Sequence, residues 1–305
     1  MMNIGLIGYY NHNNSGDDKI LSCIMKIFCG HNISVVGSYE EAYQKIDMLN
    51  SCDFVLFGGG GLVCPNSNYA AQLFRNITTR FGCIGLGIEF RDETNEELIV
   101  SIEDKAEFVW VRDSESSDLL NCHTILGNDI TFYDPLPIAE PQENDVCGVN
   151  LRPWDVDWDI SLCKDILKKH FKELIALPFH CGDNDTQCDT ESLLGIPIAE
   201  GISLDEAYTR CQFIVGMRFH SIVYAVQSGI PFLSLPYWPK NYRLCSDLGL
   251  TEYLVELGNI EILGDKIDAM RSDYGNIRDD LINYRSIAIC DTKNAVLDVK
   301  ARMGL

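Results

Sequence analysis

Positive charge is scarce in this sequence. Lys and Arg number 24 against 45 Asp and Glu, and the 305 residues carry a formal net charge of −21. Such a chain lacks the clustered cations that sequence-independent nucleic-acid binding requires. It is also repelled by anionic lipid, so at most a peripheral membrane association is expected. Metal-ligand spacings are missing: no C-x-x-C, H-x-x-x-H or E-x-x-H occurs, so a bound metal is not expected. Neither the dinucleotide G-x-G-x-x-G nor a Walker lysine is found. No uninterrupted run of about 18 apolar residues could cross a bilayer. The opening MMNIGLIGYY has neither the basic region nor the long apolar core of a signal peptide, so none is expected. No internal repeat or low-complexity segment stands out.

Cysteine, by contrast, is plentiful. There are 13, an odd number, and several sit inside apolar runs, among them Cys83, Cys147 and Cys211. A reduced cysteine there acts as a small hydrophobe. A reducing, cytoplasmic setting is therefore expected rather than a disulfide framework. The composition is otherwise that of a globular protein, 46% hydrophobic and 23% charged, and the length suits two domains.

Strand and helix patterns alternate along the chain. A strand over Asn3–Tyr10 leads through the polar loop 11–18 into a helix with Leu21, Ile24, Met25 and Phe28 at helical spacing. Ser15 or Asp17 is expected to cap that helix. A short strand Val35–Gly37 and a helix Tyr39–Leu49 follow. The strand Asp53–Phe57 is expected to run into a turn made by Gly58–Gly61, whose glycines either let a ligand approach the backbone or only permit the turn. A helix Tyr69–Phe81, a strand Cys83–Ile88, a helix Leu98–Ala106 and a strand Phe108–Val111 come next. Ser114 is expected to cap a further helix, and a strand Ile125–Phe132 closes the domain. The proline-rich stretch Asp134–Asp145 reads as a linker. Beyond it come a strand Val146–Leu151 ending at Arg152, a helix Ile160–Phe171 and a strand Leu174–Leu177. The loop from Pro178 through His180 to Asp183 leads to a helix near Thr190–Leu194. The expected boundaries are 1–140 and 145–305. The last forty-odd residues read as helical and are candidates to cross back onto the first domain.

The most informative stretch is Cys211–Tyr242. It reads as a strand ending in Gly216, a helix stopped by Gly229 and Pro231, and a strand Phe232–Leu235. Arg218 and His220 fall where a strand's carboxyl end meets a helix N-terminus, which is where open α/β sheets bind ligands and where an anion is favoured. Lys240 follows the next strand at the same edge. More ordinary readings exist beside these: Arg218 paired with a carboxylate, Lys240 on the surface, and Tyr237 with Trp238 packing rather than stacking on a sugar.

The pattern G-M-R-F-H-S, then G-I-P-F, then P-Y-W-P-K resembles the polysaccharide pyruvyl transferase family. Further pieces fit in order: N-S-G-D-D at Asn14, Gly16 and Asp17; F-G-G-G-G-L at Gly58–Gly61; F-V-W-V-R-D-S-E-S-S at Arg112; V-N-L-R at Arg152; and A-L-P-F-H at His180. The resemblance implies two doubly wound, mainly parallel-sheet α/β domains facing across a cleft, GT-B-like, with the acceptor on the N-terminal side and the donor on the C-terminal side. It implies transfer of the enolpyruvyl unit of phosphoenolpyruvate onto two hydroxyls of a sugar, as a ketal, in bacterial surface or exopolysaccharide synthesis, with no cofactor besides that co-substrate. Arg218, Arg152, Arg112 and Lys240 are the expected donor contacts, with Gly59, Gly60 and His180 also at the substrate. His220 and Asp17 are the expected acid–base pair. The alternatives are a glycosyltransferase using a nucleotide sugar, or a non-catalytic member of a polysaccharide assembly system. The acceptor sugar, and whether it is lipid-linked, are not legible.

Overall fold

The structure is a computed structural model, and it describes residues 1–141, 144–156, 158–181, 188–199 and 201–305. Gln142 and Glu143 of the expected linker, and Gly182 and Asp183 of the loop after His180, lie outside the described residues. The chain divides into two compact units, Met1–Asp134 with Ala288–Leu305, and Pro135–Ile287.

The first unit alternates strand and helix: β1 (Asn3–Ile7), α1 (Ser15–Ile27), β2 (Asn32–Val36), α2 (Tyr39–Gln44), α3 (Ile46–Asn50), β3 (Phe54–Val63), α4 (Ala71–Asn76), β4 (Phe81–Ile88), α5 (Glu96–Lys105), β5 (Val109–Val111), α6 (Ser114–Asp118) and β6 (Thr124–Leu126). Its sheet has the order β2-β1-β3-β4-β5-β6, and each of these neighbouring pairs is parallel. All eight residues of β4 are buried, as expected of a central parallel strand covered on both faces. Strand β3 divides its side chains by the two-residue pleat. Val55 and Phe57 enter one core cluster, and Phe54 and Leu56 enter another. The second cluster also takes Ala295, Val296, Val299 and Met303 from the chain's far end.

The second unit contains β7 (Val146–Asn150), α7 (Ile160–His170), β8 (Glu173–Ala176), α8 (Asp189–Ser192), α9 (Leu204–Tyr208), β9 (Phe213–Gly216), α10 (Phe219–Ser228), β10 (Phe232–Ser234), α11 (Pro239–Asp247) and α12 (Leu263–Ser272). Its strands run β10-β9-β7-β8, again in parallel pairs. A last helix, α13 (Tyr274–Met303), has residues to Ile287 in the second unit and those from Ala288 in the first.

Several local expectations need correction. Gly58–Gly61 do not form a turn after β3 but lie inside it, with φ of +136°, +53° and +86° at the first three. Only glycine enters that region readily, so the strand continues through a conformation that resembles a turn in sequence. Ile125–Phe132 is not one strand: β6 stops at Leu126 and a 3-10 turn spans Ile130–Tyr133. The helix expected over Tyr69–Phe81 shrinks to a 3-10 turn at Ser67–Ala70 and the short α4. The caps move by one residue. Asn14 rather than Ser15 or Asp17 caps α1, accepting from the Gly16 N–H, and Asp113 rather than Ser114 caps α6, accepting from the Ser116 N–H. The proline-rich stretch is not loose at its start. Leu136 N–H donates to Gln227 Oε1 at 3.1 Å and Ala139 N–H to the Ser228 carbonyl at 2.9 Å, both on α10.

Candidate functional site

A doubly wound sheet leaves a crevice at the carboxyl ends of the two strands between which the winding reverses. In the second unit those strands are β7 and β9, neighbours in the sheet. Arg152 stands two residues past β7, and Arg218 two residues past β9 as the residue before α10. Asn150, the last residue of β7, joins them. Its Oδ1 accepts the Arg218 N–H at 2.9 Å, and its Nδ2 donates to Asp189 Oδ2 at 3.1 Å. Arg218 in turn holds Asp189, Nε to Oδ1 at 2.8 Å and Nη2 to Oδ1 at 2.6 Å.

Asp189 is wholly buried. Its Oδ2 also accepts the backbone N–H groups of Phe179 and His180 at 2.9 and 3.2 Å. A buried carboxylate endures only when it is both paired and hydrogen-bonded, and Asp189 is both. The pairing of Arg218 with a carboxylate is therefore real, and it aims the guanidinium rather than replacing its other possible contacts. His180 is buried too, and its main chain engages Asp189 on both sides, since its carbonyl accepts the Asp189 N–H at 2.9 Å.

His220 is half-buried in the first turn of α10, its ring 5.4 Å from that of Phe219. Lys240 lies in the first turn of α11, after Pro239. The next residue, Asn241, donates to the Met217 carbonyl at 2.8 Å and to Ser234 Oγ at 3.1 Å. Those bonds tie the start of α11 to the turn carrying Arg218. The guanidinium of Arg152 lies over two rings, 5.0 Å from the centre of Trp154 and 4.6 Å from that of Tyr237. Lys240 Nζ is 5.7 Å from the same Tyr237 ring. Trp154 meets Tyr237 edge-on at 4.8 Å and Trp238 at 5.6 Å. Burial alone would raise the Tyr237 phenol. The charges of Lys240, Arg152 and Arg218, with a hydrogen bond to Arg152, outweigh it and hold the phenol below its ordinary value. Three cations thus act on one small volume at the strand ends of this unit.

In the first unit the winding reverses between β1 and β3. Asp17, in the first turn of α1, comes close to Gly60: a Cβ on that glycine would lie 3.2 Å from Asp17 Oδ1. Tyr10 is raised well above its usual range, chiefly by burial and then by the Asp17 charge. Gly59 has a different explanation from the expected substrate contact. A Cβ there would stand 2.1 Å from Ile20 Cγ2, so the close approach is to the chain's own helix α1.

Arg112 also differs from expectation. It lies in this unit, buried among carboxylates. Glu89 is at 3.8 Å, Asp113 at 3.7 Å and Asp129 at 3.7 Å. Three carboxylates within 4 Å of one guanidinium make a poor setting for an anionic ligand. Gly87 makes room for it, since a Cβ there would lie 2.5 Å from Arg112 Nε. Asn150, Trp154 and Asp189 contact Arg152 or Arg218 and were passed over by motif reading. Asn150 stands inside V-N-L-R and Trp154 just after it, but neither residue type signals a role alone.

A sequence model described as polysaccharide pyruvyl transferase matches residues 7–239. The chain belongs to that family. No curated protein matches it. Among solved structures, Anabaena HepE in complex with UDP-glucose is similar at a TM-score of 0.65 with 13% identity, over 99% of this chain and 100% of that one. The UDP co-structure of S. aureus MnaA gives 0.56 and 12%, over 92% and 90%. The UDP-GlcNAc 2-epimerase of Methanocaldococcus jannaschii, with UDP-GlcNAc and UDP, gives 0.56 and 14%, over 88% and 92%. At such identities the likeness carries the fold, two parallel sheets with interleaved helices of the GT-B-like kind. Among the described residues of this family member, no helix is long and apolar enough to cross a membrane. No group of three His, Cys, Asp or Glu among them could hold a metal ion.

Proposed function

We propose that this chain moves the enolpyruvyl unit of phosphoenolpyruvate onto two hydroxyls of one sugar, forming a cyclic pyruvate ketal and releasing phosphate. The observation that carries this reading is the convergence of Arg152, Arg218 and Lys240 at the strand ends of the second unit, in a family of pyruvyl transferases. The donor carries a carboxylate and a phosphate, and planar guanidinium forks bind either group bidentately. Asp189 and Asn150 hold Arg218 in place before the donor arrives, and such preorganisation lowers the cost of binding. His180 belongs to that supporting layer. His220, two residues after Arg218, is the acid–base group: of the two hydroxyl protons released, one goes to carbon 3 of the enol, which becomes the methyl of the ketal, and the other leaves with the departing phosphate. The first unit, whose strand ends carry Asp17, Glu89 and Asp129, is the acceptor side, with Asp17 orienting or deprotonating a sugar hydroxyl beside Gly60. Arg112 organises those carboxylates and is not assigned to the donor. The reaction takes place in the cytoplasm, on a precursor of a bacterial surface or exopolysaccharide, without a further cofactor.

A nucleotide-sugar reading is favoured by one observation: Anabaena HepE, of similar fold, was solved with UDP-glucose. Ligand-dependent thermal stabilisation separates the two. A ligand at a hundred times its Kd stabilises by about 2.7 kcal/mol, enough to raise the melting temperature visibly. Phosphoenolpyruvate is expected to do so, and UDP-glucose is not. The reverse result would replace the donor. Mass spectrometry of candidate sugars incubated with phosphoenolpyruvate then identifies the acceptor.

A further inference from the structure

Tyr237 stands where the second unit's cations meet, and the proposed transfer gives it no task. Arg152 approaches its ring from the segment after β7, and Lys240 from α11. Arg218 acts on it from the start of α10, with Asp189 of α8 as the carboxylate bound to that arginine. Trp154 closes one edge of the ring. A tyrosine present only for packing has no need of such company.

We propose that Tyr237 is a donor-site residue that exchanges a proton as the site fills, holding it to donate a hydrogen bond when an anionic phosphate or carboxylate settles on Arg152, Arg218 and Lys240. The inference rests on the reading of these cations as the donor site. Its physical basis is charge balance. In the empty site the neighbouring cations lower the cost of ionising the phenol. The donor brings negative charge to the same cations and disfavours a second anion beside it. Filling the site therefore takes up a proton. By linkage, donor affinity falls as pH rises through the range in which the empty-site phenol ionises, by up to about tenfold per pH unit.

The test uses the full chain with phosphoenolpyruvate and, separately, inorganic phosphate, at about pH 9, below the ordinary tyrosine range. Two readouts apply: the near-ultraviolet absorbance of tyrosinate, and calorimetry in two buffers of different ionisation enthalpy, which counts protons. In the wild type, either anion is expected to reduce the tyrosinate signal and to take up a proton. In Tyr237→Phe both effects vanish while phosphoenolpyruvate still binds. Lys240→Met, in the first turn of α11, removes one cation and is expected to move the onset of tyrosinate formation in the empty protein to higher pH. The inference is overturned if Tyr237→Phe takes up the same proton as the wild type, or if Lys240→Met leaves the onset unchanged. Binding of either anion without proton uptake sinks this inference alone. Failure of both anions to bind sinks the donor reading and this inference with it.

Discussion

Arg218 and Asp189 form the most consequential pair at the scale of single residues. Removing one partner of a buried, hydrogen-bonded ion pair leaves an uncompensated charge, at about 3–5 kcal/mol. Asp189→Ala is expected to lose that much stability in urea unfolding, and Asp189→Asn less, because one oxygen remains to accept from the Phe179 and His180 N–H groups. Arg218→Lys keeps the charge and loses the fork. Its affinity for phosphoenolpyruvate should fall by tens to thousands of fold, or about 2–5 kcal/mol, in equilibrium binding. His220 should respond differently, because a proton transfer belongs to the transition state. His220→Ala is expected to lower single-turnover rates about 100-fold or more with little change in donor affinity, and His220→Gln should not restore them. Near-normal turnover in His220→Gln would pass the proton to another group. The arginines themselves were legible from sequence, since each ends an apolar run at the point where a strand must stop. Asp189 was not: it lies 29 residues before its partner, and no local pattern joins them.

The strand–helix alternation was legible at the scale of elements because each buried strand is a short apolar run bounded by turn residues. What escaped were the places where backbone conformation overrides composition. The four glycines of β3 looked like a turn because glycine usually marks one, yet the positive φ values of the first three are accommodated within a parallel strand. Replacing Gly59 is costly for two independent reasons, a φ of +53° and Ile20 Cγ2, which would stand 2.1 Å from an added Cβ. Gly59→Ala is expected to destabilise the first unit by about 1–3 kcal/mol, in line with overpacking elsewhere. Chemical denaturation measures it, and an unchanged midpoint would show that α1 moves aside freely. The short β6 escaped for another reason: its three residues are followed by a turn that carries apolar side chains of its own.

At the scale of the whole molecule, the net charge of −21 acts against the proposed donor cluster, whose three cations can attract an anion only locally. Salt should therefore stabilise the fold by screening self-repulsion while weakening phosphoenolpyruvate binding. Melting temperature and Kd across a sodium chloride series check both directions. In the proposed site arginine and lysine supply the positive charge for the donor, so EDTA is expected to leave turnover unchanged. Loss of turnover that a single divalent ion restores would overturn that assignment.

Helix α13 has a consequence for how the chain is made. Residues 288–305 supply part of the core of the first unit, through Ala295, Val296, Val299 and Met303. During synthesis the second unit has all of its sequence before the first does, although the first begins to emerge earlier. The usual order of vectorial folding, N-terminal part first, is thus inverted in its completion. A chain ending at Ile287 and tethered to a stalled ribosome by a linker long enough to clear the exit tunnel is expected to display a protease-resistant second unit beside a first unit that is still open to cleavage.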